Sequence, residues 1–284
     1  MPDRRTRTHD WLLGAALWGT AGIVAAGFAW ILGGLLVGGL GRISWSFLTT
    51  APVDAGRAGG IGPILVSTTL ILAVCLAAAV PLGVATAAVL AELTRADSGF
   101  GRLIRASLDI LAGVPSIVFG LFGNAFFCVL LGLGFSILSG GLTLACMALP
   151  LIIRSTEEGF RSVPDDVRLG AAAAGMTRTT TLIHLLLPAA RPGLVVGLVL
   201  GIGRALAETA ALLFTSGYVD RMPTSLLDSG RALSVHVYDL SMNVAGGETN
   251  AYGTALVLIA VLLGINLTAS RLSERWLSGS TVRA

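Results

Sequence analysis

The chain has 284 residues, of which 54% are hydrophobic and 12% charged, and its mean hydropathy is +0.83. A soluble domain carries roughly a quarter charged residues, so this composition excludes a water-soluble globular protein and places the chain in a membrane. All 19 basic residues are arginine and the pI is near 9.1, but the arginines lie scattered between apolar runs instead of clustering with aromatics, which speaks against nucleic acid.

Crossing a ~30 Å hydrocarbon core takes roughly 20 apolar residues. Six runs qualify, at 11–40, 62–91, 108–133, 136–153, 192–215 and 252–270. The first follows RRTRTH, as the apolar stretch of a signal peptide follows its charged start. It is much longer than the ~7–15 residues of such a peptide and lacks a small-x-small cleavage site, so it reads as a span. The third and fourth runs are joined by the tight GLGFS (132–136) and should form a hairpin. Cys75, Cys128 and Cys146 all lie inside apolar runs; an odd number in such places argues against a disulfide framework or a metal site.

With six spans and the N-terminus inside, fourteen of the 19 arginines, Arg95 and Arg283 among them, fall on inner segments. Four, Arg42, Arg57, Arg221 and Arg231, fall on outer ones, and Arg204 lies within a span. The positive-inside rule then puts both termini in the cytoplasm. The expected division is a tail, first span and outer loop (1–58), a core (59–272) and a cytoplasmic tail (273–284). Two connections, 154–191 inside and 216–251 outside, are too long for simple turns. No inverted repeat relates the halves, unlike many secondary transporters.

The inner connection holds RSVPDDVRLGAAAAGMTRTTTLIHLLLPAARPG (161–193). Pro164 with Asp165 and Asp166 makes a good helix start, since proline fits the first turn and acids suit its positive end. Ala171 to Ala174 continue the helix and Gly175 ends it. The segment TLIHLLLP then leads to the membrane. A compact helix–break–helix knob suits a groove on a soluble partner, and equally an amphipathic segment lying on lipid.

The spacing of this stretch resembles the EAA loop of ABC-importer permeases. That pattern is E-A-A, three residues, Gly, nine residues, then I-x-L-P. Gly175 takes the glycine position, Leu185 stands for the isoleucine, and Leu187 and Pro188 close the pattern. The alanine pair falls on Gly170 and Ala171, and Leu169 occupies the glutamate position, with Asp165, Asp166 and Arg168 nearby. The resemblance implies an all-α, six-span, type I ABC-importer permease whose 161–188 loop docks on a cytoplasmic ATPase. GGIGPILVSTTLI (59–71), GVPSIVFGLFG (113–123), LPLIIRSTEEGFRSVP (149–164) and RALAETAALLFTSG (204–217) narrow it to the phosphate-specific permeases, most closely the PstA type. This resemblance covers about residues 59–270. It implies as partners a second, related permease chain of the PstC type, two ATPase copies and an extracytoplasmic phosphate-binding protein, all at a bacterial inner membrane. ATP and magnesium would sit on the ATPase, leaving this chain without a cofactor of its own.

Arg204 and Glu208 are four residues apart in the fifth run, so on a continuous helix they share a face and pair. Arg204 would lie roughly 18 Å from the start of the span near Pro192, at a depth where each charge costs about 2.5–3.5 kcal/mol. The pair should therefore face the interior or a watery path. Gly193, Gly197, Gly201, Ala205 and Thr209 recur every four residues beside it, a stripe that lets helices approach closely and suits a contact between two permease subunits. The plain reading is an ion pair that fixes helix register; the functional one is an anion pathway, with guanidinium donors for an oxyanion and Thr209 beside them.

The phosphate-permease family usually reads GETAP where this chain has AETAA. Ala207 and Ala211 therefore replace a glycine and a proline, which leaves a local kink open. Arg154 is either a second pathway residue or an ordinary inner-face anchor. Glu157 and Glu158 read as partners of Arg154 or Arg161, His184 as interfacial packing, and His236 has no visible constellation.

Rival functions are a permease for sulfate, molybdate or phosphonate, an ion-coupled carrier using Arg204 and Glu208 as a proton relay, and a structural scaffold. The chain has no G-x-x-x-x-G-K-[ST] motif. Purified alone, it is expected to show no ATP turnover in a phosphate-release assay; robust hydrolysis would end the assignment of that step to a partner.

Overall fold

The structure, a computed structural model, describes residues 4–94 and 98–280; Arg95 and Arg283, counted above for orientation, lie outside them. Helix α1 spans Arg4–Gly39, and α2 spans Gly62–Ala88 before widening into a π-helical turn at Val89–Leu93. There follow α3 (Gly99–Gly113), α4 (Ser116–Gly123, continued as a π-helix over Asn124–Leu130) and α5 (Ile137–Arg161). The chain continues with α6 (Asp165–Ala173), α7 (Arg191–Leu206), the short α8 (Ala210–Leu213), α9 (Leu233–Met242) and α10 (Glu248–Ser280). Between α1 and α2 a two-stranded hairpin pairs Pro52 with Gly59 and Val53 with Ala58.

Four helices, α1, α2, α5 and α10, are continuous rods long and apolar enough to cross a membrane. The other two expected spans are broken, and each break has a local cause. Helices α3 and α4 meet at 101°. Val114, held extended at φ −70°, ψ 131°, precedes Pro115, and a proline disfavours helical backbone in the residue before it. The first residues of the expected 108–133 span, up to Gly113, thus belong to the end of the amphipathic α3, with Leu108 inward and Arg102 outward. The expected 192–215 span begins after a 65° bend at Ala190–Arg191, where Pro192 fits the first turn of α7. It stops at Leu206.

Helix α5 is longer than the 136–153 run implied. Ser136 caps its start, accepting a hydrogen bond from the Ser139 amide at 3.1 Å, and the helix continues to Arg161. Arg154, Glu157 and Glu158 therefore stand on a helix and not in a loop, which begins only at Ser162.

Helix α5 is also the axis of the bundle. Two thirds of its most apolar window (67%) is buried, against 6% for the peripheral α1. On one side α2 packs Ile71, Cys75 and Ala79 against Leu144, Met147, Ala148 and Ile152. On the other, α7 comes in at backbone contact. A Cβ added to Gly193 would lie 2.5 Å from the Gly159 Cα and 2.5 Å from the Ser155 carbonyl oxygen. Gly197 and Gly201 continue the contact along Ile152. The small-residue stripe of α7 is thus spent inside the chain and not between subunits, and Thr209 lies beyond the end of the helix.

Gly193→Ala should destabilise the bundle by about 1–3 kcal/mol, the usual cost of overpacking. Gly203→Ala serves as the control, since its nearest neighbour would stand 3.8 Å away. Unfolding midpoints in detergent check the pair: equal values would show that α7 does not need the close approach.

Candidate functional site

Three polar regions sit on this frame. The first is the 161–188 loop. Pro164 caps α6, and Asp165 and Asp166 occupy its first turn. Two hydrogen bonds close its far end: Gly175 N–H to the Ala172 carbonyl and Met176 N–H to the Ala171 carbonyl, each at 3.0 Å. This is a Schellman closure, and it needs the left-handed Gly175 (φ +73°). The loop thus ends its helix at the position the spacing marked. Ala171 is buried, whereas Gly170 is exposed and Leu169 is 67% exposed. Leu185, Leu187 and Pro188 are half-buried along the π-helical and helical return to the membrane. His184 is exposed, with Nδ1 3.1 Å from the Thr180 carbonyl oxygen.

Arg168 reaches away from the loop. Its Nε and Nη2 fork onto the two carboxylate oxygens of Glu92 at 3.1 and 2.7 Å, and Nη1 meets Asp165 at 3.2 Å. The Glu92 hydrogen bond raises the pKa of the guanidinium above its ordinary value.

The second region surrounds Arg204. The expected Arg204–Glu208 pair does not form, because the helix that would align them ends at Leu206. Glu208 turns inward to 7% exposure and accepts the Ala211 amide at 3.2 Å, capping α8, while its carbonyl accepts the Ser234 hydroxyl at 2.6 Å. These two bonds satisfy backbone and side chain at the break, so the kink exists without the family's glycine and proline.

Arg204 faces the elbow between α3 and α4. It lines a cavity of about 140 Å³ with Leu111, Ala112, Phe119, Met147, Pro150 and Leu151. Among the described residues no carboxylate pairs with it. Farther along α5, Arg154 pairs with Asp109 of α3, and beyond them Glu157 receives the Nε of both Arg105 and Arg161 at 3.0 Å. Glu157 is thus a partner of Arg161, as its spacing implied, but Arg154 takes Asp109 instead. Arg204, Arg154 and this cluster form a polar track beside α5 toward the α6 end of the bundle.

The third region is at the opposite end. Arg231 pairs with Asp239 at 3.0 Å, donates to the Tyr218 carbonyl at 2.8 Å, and places Nη1 3.3 Å from the Nδ1 of buried His236. Guanidinium only donates, so Nδ1 must accept and the ring must be neutral. Burial, with Arg231 adding to it, pulls the His236 pKa down to about 4.

Comparisons with known proteins now decide the family. Residues 79–275 match the model described as "Binding-protein-dependent transport system inner membrane component". The chain belongs to this family of ABC-importer permeases. The permease is 32% identical over 278 residues to the probable ABC transporter permease protein YqgI of Bacillus subtilis (strain 168), covering 91% of this chain and 92% of that one. It is 34% identical over 231 residues to the phosphate transport system permease protein PstA 1 of Mycobacterium tuberculosis (strain ATCC 25618 / H37Rv), covering 80% and 73%. Among solved structures, a chain of a bacterial alginate ABC transporter superposes with TM-score 0.68 at 17% identity, covering 95% of this chain and 96% of that one. A MetNI methionine ABC transporter chain gives 0.60 at 18%, covering 76% and 94%. Membership makes the permease an inner-membrane transport component and not an enzyme, and it sets aside the ion-coupled carrier and the scaffold.

Glu92, Asp109 and Arg105 escaped the sequence reading because their partners lie 76, 45 and 52 residues away. His236 escaped for a different reason: its partners were visible at three and five residues' distance, but only burial makes them a cluster.

The permease should lose stability as the pH falls. Between about pH 6.5 and 4 the unfolded His236 binds a proton that the folded ring refuses, so stability rises with pH across that window. Thermal midpoints in detergent at stepped pH should fall through it, and His236→Gln should flatten the fall. An unchanged slope would show that the ring is not the titrating group.

Proposed function

We propose that this permease is one half of the translocation path of an ATP-driven importer of inorganic phosphate. The end that carries α6 faces the cytoplasm and α9 faces outward, in keeping with the arginine distribution. The single observation behind the anion is Arg204: an exposed guanidinium at the edge of a small cavity in a membrane-spanning segment, without a carboxylate partner among the described residues. Such a group keeps its donors for an oxyanion. Arg154, balanced by Asp109, offers the next positive charge toward the cytoplasm. Glu208 stays beside the path and holds the break in shape, with Thr209 half-buried next to it.

Relatives at 34% identity that are named phosphate permeases support this cargo over sulfate, molybdate or phosphonate. A related permease chain completes the path, a binding protein delivers phosphate to the outer end, and two ATPase copies that hold ATP and magnesium act on α6 through Leu169, Gly170 and the Schellman turn. Binding-protein delivery and ATP use are what this class of importer requires.

The test is uptake of labelled phosphate by the assembled transporter in proteoliposomes. Charge-assisted hydrogen bonds are worth about 1.5–3 kcal/mol, so Arg204→Ala should slow uptake more than about tenfold, with copurification of the partners unchanged. Excess unlabelled phosphate should compete, and sulfate, molybdate and phosphonate should not. Normal uptake by Arg204→Ala, or competition by sulfate alone, would overturn the reading.

A further inference from the structure

We propose that Glu92 and Arg168 form the clamp that carries movement of α6 into the membrane-spanning bundle, both acting as positioning residues. This deepens the reading of α6 as the ATPase docking helix and rests on it.

The case begins with how little else holds α6. Its nine residues pack only sparsely on other helices; Ala171 alone is buried and Val167 is half-buried. Arg168 supplies the firm attachment. Its fork holds both oxygens of Glu92, while Nη1 and Nη2 also donate to the Val163 and Phe160 carbonyls at 2.7 and 2.9 Å. Those carbonyls belong to the end of α5 and the turn that leaves it. Arg168 therefore joins α6, the end of α5 and the end of α2 at one guanidinium. The pair is mostly shielded, at 26% and 15% side-chain exposure. A bidentate guanidinium–carboxylate contact fixes direction as well as distance.

The receiving end is built to pass movement on. Glu92 lies in the π-helical turn Val89–Leu93, where the wider turn departs from the regular hydrogen-bond ladder. The Leu90 carbonyl there accepts from Arg105 of α3 and from Arg161 of α5, each at 3.4 Å, and both arginines also share Glu157. Arg105 sits one turn before Asp109, which holds Arg154, and Leu111 and Ala112 at the end of α3 wall the Arg204 cavity. A push on α6 thus reaches the end of α2 through Glu92, crosses to α3 through Arg105, and arrives at the elbow above Arg204. The links between elements are side-chain hydrogen bonds, and the π turn and α3 carry the path between them along their own backbones.

The clamp also bears on the leucine at the motif's acid position. Leu169 is exposed and free to meet a docked partner, whereas Arg168, one residue earlier, turns onto Glu92 and the end of α5. Docking and transmission therefore fall to adjacent residues on different faces of α6, about 100° apart around its axis.

The experiment uses the complete transporter in proteoliposomes, with inorganic phosphate uptake and ATP hydrolysis measured together. Coupling energies between sites commonly correspond to 5–150-fold. Glu92→Gln is expected to keep the ATPase bound but to lower phosphate carried per ATP by about fivefold or more. Adding Glu92→Gln to Arg168→Gln should cause no further loss, since both break one contact. An unchanged ratio for Glu92→Gln overturns the clamp, as do independent, multiplying losses in the double variant. Loss of the ATPase from the Glu92→Gln complex also overturns it, because the pair would then hold the dock together instead of transmitting its movement. Failure of the reading beneath it looks different: Leu169→Asp would leave ATPase copurification untouched.

Discussion

The approach of α7 to α5 at backbone distance is the contact on which the polar architecture depends. Gly159 and Gly193 leave no room for a side chain between the two helices, and in lipid such close packing is a main source of association between helices. It fixes α7 in rotation and depth. Arg204, eleven residues along α7 from Gly193, is then set against Pro150 and Leu151 on the same central helix. The opposite side of α5 is committed to α2. Charged side chains of α5 are left only the sector facing α3, which is where Arg154 and Glu157 find Asp109 and Arg105.

Broken helices are the second theme, and the membrane makes each break an accounting problem. Hydrocarbon offers no water to free backbone groups, so irregular backbone survives there only where protein satisfies it. At Ala207–Thr209 the partners are the Glu208 carboxylate and the Ser234 hydroxyl. At the elbow, Pro115 has no N–H to satisfy, and the Val114 amide bonds the Leu111 carbonyl at 3.3 Å. Both breaks lie beside the Arg204 cavity. The chain departs from regular helix where it exposes its one intramembrane arginine.

Much of this was legible in the amino-acid order, and the limits are physical. Long apolar runs marked α1, α2 and α10 because a rod in lipid must be apolar along its length. The 161–188 loop was legible through Pro164, Asp165 and Gly175, each of which acts within a turn of itself. Hydropathy could not show that the 108–133 run bends, since Pro115 changes direction without changing polarity. Nor could it show that 204 and 208 part company, since one of the two bonds that satisfy the break comes from Ser234, in a distant segment. The glycine stripe was correctly seen as a contact surface but given to the wrong neighbour: spacing tells that something approaches, and not what.

The π turn at the end of α2 has a consequence for how the sequence can vary. It holds one residue more than a regular α-turn would, and that surplus sets the azimuth of Glu92. Each residue of a helix advances about 100° around the axis. Deleting Val89, Leu90 or Ala91 would restore regular pitch and swing the carboxylate about a quarter-turn or more away from Arg168. Length at this segment is therefore under tighter constraint than composition, and homologous chains should differ there by substitution and not by insertion or deletion.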